Sequence, residues 1–234
     1  MTKKLNIALI GCGGWGKNIA RNLHQIGALA CIYDSDQNLS KKLNQDFKLH
    51  DYTINDIFRN ENIQALVIAS SAKTHRDIAE EALKNNKDVL IEKPFCLSLN
   101  DAITLSKLAI KKNKVLMAGH LLNYHNAFIK MQDLIREGKI GETKNIRAQR
   151  LALGAIRSHE SVIYDLAVHD VSMILAIMQE LPVKINAHSI HHNTNIGPDA
   201  VSVKLTFKTG ATALISCDWM CPYKEHKFSV IGSK

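Results

Sequence analysis

The stretch Leu5-Asn6-Ile7-Ala8-Leu9-Ile10-Gly11-Cys12-Gly13-Gly14-Trp15-Gly16 decides the fold class. A short apolar run, 5–10, stops at a cluster of glycines, as a buried strand stops at a turn. Residues 15–25 then carry apolar side chains at helical spacing, and 28–33 are apolar again. The glycines fall as G-x-G-x-x-G at the junction of strand and helix. In that pattern Gly11 permits the tight turn, Gly13 lets the main chain approach a pyrophosphate, and Gly16 allows close helix packing. The phosphates meet the positive end of the helix dipole.

Outward from this unit the alternation continues. A polar helix is expected over 38–46, a buried strand over 65–69, a helix over 74–85, a strand over 88–91, a helix over 100–111 and a strand over 115–118. Continuous apolar strands between helices imply a parallel sheet covered on both faces, a doubly wound α/β fold. Asp34 ends the second strand 18 residues beyond Gly16. A carboxylate there accepts hydrogen bonds from the adenosine ribose hydroxyls. Ser35, Asp36 and Gln37 follow, with no arginine to hold a 2′-phosphate, so NAD is preferred over NADP.

From about residue 123 the pattern changes. A helix over 123–137 ends at Gly138, a strand covers 143–151, and an apolar helical segment runs over 162–178. Strands then follow over 183–190, 200–207, 211–218 and 227–231. The alternation of Val201, Val203, Leu205 and Phe207 with polar residues marks a strand with one buried face, and Lys208-Thr209-Gly210 is a hairpin turn. Residues 1–120 are expected to form a Rossmann domain, and 121–234 an α+β domain with a mostly antiparallel sheet.

Composition narrows the function classes. The 234 residues are 46% apolar and 22% charged, enough to bury a core, and a net charge of +8 favours anionic partners in general. The lysines are dispersed and aromatic residues make up only 6%, which argues against nucleic acid. No stretch approaches the ~18–20 apolar residues that cross a bilayer. Cys12, Cys31, Cys96, Cys217 and Cys221 are scattered and odd in number, as reduced thiols in a cytoplasmic protein would be. His188, His191 and His192 lack a partner set at metal-site spacing, and no metal is expected.

At Ile91-Glu92-Lys93-Pro94 the sequence resembles the Gfo/Idh/MocA oxidoreductases, NAD(P)-dependent dehydrogenases acting on CH–OH groups of sugars and cyclitols. The matching pieces stand in family order: the glycine turn, Asp34, the segment Ser70-Ser71-Ala72-Lys73-Thr74-His75, the Glu92-Lys93-Pro94 triplet, Gly119-His120, and Asp165-Leu166-Ala167-Val168-His169-Asp170. The resemblance implies a cofactor site drawn from Gly11, Gly13, Gly14, Trp15, Gly16, Asp34, Ser70, Ser71, His75, Glu92, Lys93 and His120. For His75, local packing at a helix start is an equal reading; for Glu92 and His120, buried structural hydrogen bonding is. Trp15 is also expected to pack against the first helix.

Oxidising a secondary alcohol needs a hydride acceptor, a group to take the hydroxyl proton, and a donor to steady the alkoxide. NAD is the first. Lys93 follows a strand's carboxyl end, the edge at which open α/β sheets bind ligands, and Pro94 biases it toward extended geometry. Asp165 and His169, four apart in an apolar helix, share one face, where a carboxylate orients an imidazole and raises its basicity. Lys93, Asp165 and His169 are therefore the expected catalytic residues, with the roles of Lys93 and His169 exchangeable.

Within the family, Gly119, Arg150, Gly154, Arg157, Asp165, His169 and Asp170 look most like the members that oxidise C3 of UDP-N-acetylglucosamine, or of its uronic acid, toward surface polysaccharide precursors. Asn123 and Tyr124 depart from the arginine and phenylalanine usual there. Substrate contacts are expected from Lys93, Asn123, Arg150, Arg157, Asp165 and His169, with Arg150 and Arg157 on the diphosphate. The alternatives are an inositol or free-sugar dehydrogenase of the same family, or a non-catalytic NAD-binding paralogue. Family members run longer than this chain, so the second domain is expected to be incomplete, with a homo-oligomer formed through its sheet.

Overall fold

The computed structural model describes residues 5–153, 161–191 and 197–234. The chain divides after Gly119 into two compact units.

The first unit contains the parallel sheet. Its strands are β1 (Ile7–Ile10), β2 (Leu29–Tyr33), β3 (Ala65–Ile68), β4 (Asp88–Ile91) and β5 (Leu116–Ala118), in the order β2-β1-β3-β4-β5. The helices are α1 (Gly16–Gln25), α2 (Gln37–Phe47), α3 (Ile54–Arg59), α4 (Ala72–Lys84) and α5 (Leu99–Lys112). Side chains alternate along the strands and so feed two cores. Ala8, Ile10, Leu66 and Ile68 pack with Ala79, Leu83 and Leu105 on one face, while Leu9 and Val67 pack with Ala20 and Ile32 on the other. Burial on both faces is the reason these strands are continuously apolar.

Helix α3 was not expected from periodicity, because six residues are too few to show it. Its signal is chemical: Thr53 and Asp56 form a reciprocal capping box. The edge strand β2 is shielded by Asn44, which is 1% exposed. The Asn44 amide accepts from Ile32 N and donates to Ile32 O, both at 2.9 Å, as a neighbouring strand would.

The second unit contains β6 (Thr143–Leu151), β7 (Lys184–Ile190), β8 (Ala200–Thr206), β9 (Thr212–Asp218) and β10 (Glu225–Gly232), in the order β10-β6-β9-β8-β7. Three of the pairings are antiparallel and β6–β9 is parallel, so the sheet is mixed. One face packs Ile146, Ala148, Ala213, Ile215 and Cys217 against Val162, Ala167 and Ile174. The helix expected over 123–137 is interrupted. A 3-10 turn, Leu121–Tyr124, precedes α6 (Asn126–Arg136), because the His125 side chain accepts from Ala127 N and caps a new helix start. A π-helical turn, Ile163–Ala167, runs directly into α7 (Val168–Met178).

Candidate active site

The strand order sets β2 and β3 on opposite sides of β1, so the loops leaving β1 and β3 diverge at the carboxyl edge and open a crevice. A cavity of about 530 Å³ lies there, lined by Gly11, Gly13, Asp34, Ser35, Ser70, Ser71 and Thr74 over an apolar floor that includes Ile10 and Ala69.

The glycine turn divides its labour. Gly11 has φ +94°, and a Cβ on it would meet Ser70 N at 2.5 Å, so the turn packs directly on the loop after β3. A Cβ on Gly16 would collide with the carbonyl of Gly11, which seats α1 against the turn. Around Gly13 and Gly14 the space is open. A pyrophosphate fits in that space at the N-terminus of α1, and the residues present suit a dinucleotide.

Asp34 is on the cavity wall. Its Oδ2 accepts from Cys12 N at 2.7 Å and its Oδ1 from Asp36 N at 2.9 Å. Burial raises its pKa, but the amides of Cys12 and Asp36 outweigh that and hold the carboxyl below its ordinary value. The Cys12 thiol and the Ser35 hydroxyl also reach Oδ2 and Oδ1, each at 3.4 Å, long contacts weak enough to yield to ribose hydroxyls. Its neighbour Cys12 is pushed up to about 12, first by burial and then by Asp34, and is inert as a thiolate.

Trp15 is half exposed and donates its indole N–H to Glu92 Oε1 at 2.9 Å. Glu92 Oε2 accepts from Lys93 N at 3.2 Å. The expected cofactor residues Trp15 and Glu92 are thus linked between the glycine turn and the loop that carries Lys93. His75 takes the packing alternative in this structure: it is 1% exposed, and its Nδ1 faces Pro94 O at 3.0 Å and its Nε2 faces Ser70 O at 3.1 Å.

In the second unit Asp165 occupies the π turn, 7% exposed, and its Oδ2 accepts from Trp219 Nε1 at 3.3 Å. π turns cost hydrogen-bond geometry and gather at functional sites. His169 is half-buried at the start of α7, and its carbonyl accepts from Ser172 Oγ at 2.7 Å.

Arg150, expected on a diphosphate, pairs with Asp170: Nε lies 3.0 Å from both carboxylate oxygens and Nη2 2.9 Å from Oδ1. Asp170 is 1% exposed; burial raises its carboxyl pKa and Arg150 pulls it back. Burial, and then Asp170, push the Cys217 thiol up. Asn123 lies in the 3-10 turn and His120 stands at its N-cap position. Arg157, Gly154 and His192 fall outside the described residues.

A second cavity, about 390 Å³, lies within this unit and is lined by His125, Gln149, Arg150, His226, Lys227 and Phe228 among others. Burial, Arg150 and Lys224 lower the pKa of His226, leaving it neutral near pH 7. This polar wall was not legible in the sequence. It comes from the register that sets His226 opposite Arg150 across β10 and β6, residues remote along the chain.

Together these features define a dinucleotide-binding Rossmann unit followed by a sheet-bearing unit. A family model described as "Oxidoreductase family, NAD-binding Rossmann fold" matches residues 5–120, and "GFO/IDH/MocA C-terminal domain" matches 128–234. The chain belongs to the Gfo/Idh/MocA family, and its first unit is an NAD-binding Rossmann fold.

It is 23% identical over 248 residues to 2,7-anhydro-N-acetylneuraminate hydratase of Escherichia coli strain K12, covering 98% of this chain and 66% of that protein. It is 27% identical over 210 residues to UDP-N-acetylglucosamine 3-dehydrogenase of Acidithiobacillus ferrooxidans, covering 89% of this chain and 65% of that protein. The chain therefore spans a little less than two thirds of the length of these relatives. The solved structure of GenD2 from gentamicin A biosynthesis, in complex with NAD, shares the fold with a TM-score of 0.89 at 23% identity, covering 100% of this chain and 71% of that one.

Proposed function

We propose that this chain binds NAD and oxidises a secondary hydroxyl of a sugar nucleotide, C3 of UDP-N-acetylglucosamine or its uronic acid being the leading substrate. The observation that carries the redox reading is the cavity at the β1/β3 crevice, where an open glycine turn, Asp34 and Ser70-Ser71 share one wall. NAD, when bound, supplies the hydride acceptor. Gly13, Gly14 and the α1 N-terminus hold its phosphates, Asp34 its adenosine ribose, and Ser70 and Ser71 the nicotinamide side.

Lys93 is the donor to the developing alkoxide and His169 takes the hydroxyl proton, with Asp165 holding the imidazole; in the alternative assignment Lys93 and His169 exchange roles. The order of family motifs along the chain supports this trio, and pH–rate profiles of Lys93 and His169 variants separate the two assignments. The sugar-nucleotide reading draws on the resemblance, on one relative's name, and on the second cavity, whose Arg150, His226 and Lys227 suit an anionic ligand. The relatives' names span a hydratase and a dehydrogenase, so the substrate rests on experiment.

That experiment is incubation with NAD and a panel of UDP-sugars and free cyclitols, followed by NADH absorbance. Turnover of a UDP-sugar is expected. Turnover of a free cyclitol alone moves the substrate to the inositol class, and NAD binding without turnover of either removes the enzymatic reading. A homo-oligomer through the open face of the second sheet is part of the proposal. On that face Leu214 is 42% and Ile231 44% exposed, and a monomer in light scattering would end it.

A further inference from the structure

His75 sits in the first turn of α4, yet its ring touches two other segments of main chain. Ser70, whose carbonyl faces Nε2, lines the dinucleotide cavity after β3. Pro94, whose carbonyl faces Nδ1, follows Lys93 after β4. The ladder joining β3 to β4 runs out at Ile68 and Ile91, its last bond passing from Glu92 N to Ile68 O at 2.9 Å. Beyond that point the ring spans the gap between the two loops. Being planar, it has one fixed separation between its nitrogens. Being buried, it meets no competing water. A carbonyl oxygen only accepts, so a neutral ring donates to one of the two carbonyls and only packs its other nitrogen against the second, while an imidazolium would donate to both.

We propose that His75 is a positioning residue, a two-ended spacer that sets the Ser70-Ser71 rim of the cofactor cavity at a fixed distance from the Lys93 loop. Cofactor binding and the placement of Lys93 are thereby coupled through one side chain that touches neither cofactor nor substrate. This rests on the reading of Lys93 as catalytic given above.

Two amide substitutions divide the spacer. Asparagine places an N–H near the Nδ1 position, and glutamine places one near Nε2. His75→Asn keeps the Pro94 end and releases Ser70; His75→Gln does the reverse. NADH affinity, from nicotinamide fluorescence, and amide hydrogen exchange over 69–74 and 92–96 are measured for each. His75→Asn is expected to weaken NADH binding about five- to tenfold and to speed exchange over 69–74 alone, the loss being the contact of Nε2 with Ser70 O. His75→Gln is expected to hold NADH affinity within about twofold, speed exchange over 92–96, and lower kcat at nearly constant KM for NAD.

Equal effects of the two variants on both loops, or no effect on either, would make His75 ordinary core packing and overturn the proposal. If neither variant folds, ADP-ribose, which lacks the nicotinamide ring, is added to the wild-type chain. Slower exchange in both segments is then expected, and protection confined to 69–74 overturns the proposal. Full activity in Lys93→Ala would remove the catalytic reading while leaving the crossed binding and exchange pattern standing. An inactive Lys93→Ala beside an uncrossed pattern would remove the spacer alone.

Discussion

The two units build polar sites by opposite means. Around the dinucleotide cavity the work is done by main chain: a glycine turn, the amides of Cys12 and Asp36 on Asp34, and the carbonyls of Ser70 and Pro94 on His75. In the second unit it is done by side chains from separate elements: Arg150 of β6 on Asp170 of α7, and Trp219, just after β9, on Asp165 of the π turn. A main-chain site needs only glycines and a short acidic residue at set intervals, and tolerates variation elsewhere. A side-chain site needs each partner, since removing one leaves the other buried and uncompensated.

The largest expected effects test whether both units serve one reaction. Lys93→Ala and His169→Ala should each lower kcat by about 10²- to 10⁴-fold with NADH affinity nearly kept, measured by NADH formation on the substrate the panel identifies. Loss in only one of them would confine catalysis to one unit.

Next is the ion pair. Asp170→Ala leaves the Arg150 guanidinium with no carboxylate in a site only 14% exposed. It should cost about 3–5 kcal/mol in urea unfolding, whereas replacing both partners by apolar residues of similar volume should recover much of that. If the single variant costs no more than a surface change, the contrast between the units fails.

Gly11→Ala probes the main-chain side. The positive φ alone costs about 1–2 kcal/mol for a residue with a Cβ. The approach to Ser70 N adds to that, so NADH affinity should fall together with stability. Titration of the variant with NADH checks it, and wild-type affinity would show that the turn does not shape the cavity.

The smallest effect is one of pH. Asp34 has a folded-state pKa below its unfolded value, so its contribution to stability is complete above about pH 4, the unfolded pKa, and is lost as pH falls through the folded one. Thermal unfolding of Asp34→Asn should therefore show a flatter acid limb than the wild type below that pH. Parallel curves would mean that Cys12 and Asp36 do not stabilise the charged form.

The contrast between the units also accounts for what periodicity missed. In the first unit the parallel strands are buried on both faces, so each appears as an apolar run, and the glycine turn is contiguous in sequence. Even there, six-residue α3 escaped, its capping box being too short a signal for periodicity. In the second unit the interruption between Leu121–Tyr124 and α6 depends on a single capping histidine. The parallel pairing of β6 with β9 depends on residues such as Arg150 and Cys217, far apart in the chain.

The sequence by itself determined the doubly wound first unit, the preference for NAD and the family, because strand burial, glycine spacing and an acidic residue at a strand end are local properties. Tertiary structure alone decided that Arg150 pairs with Asp170, that Trp15 reaches Glu92, and that His75 bridges two loops. The Arg150 contact crosses 20 residues and the Trp15 contact 77, while His75 joins Pro94, 19 residues on, to Ser70, five residues back. A side chain's partner at that range is set by which strands lie side by side, and strand order is a property of the folded sheet rather than of any one segment.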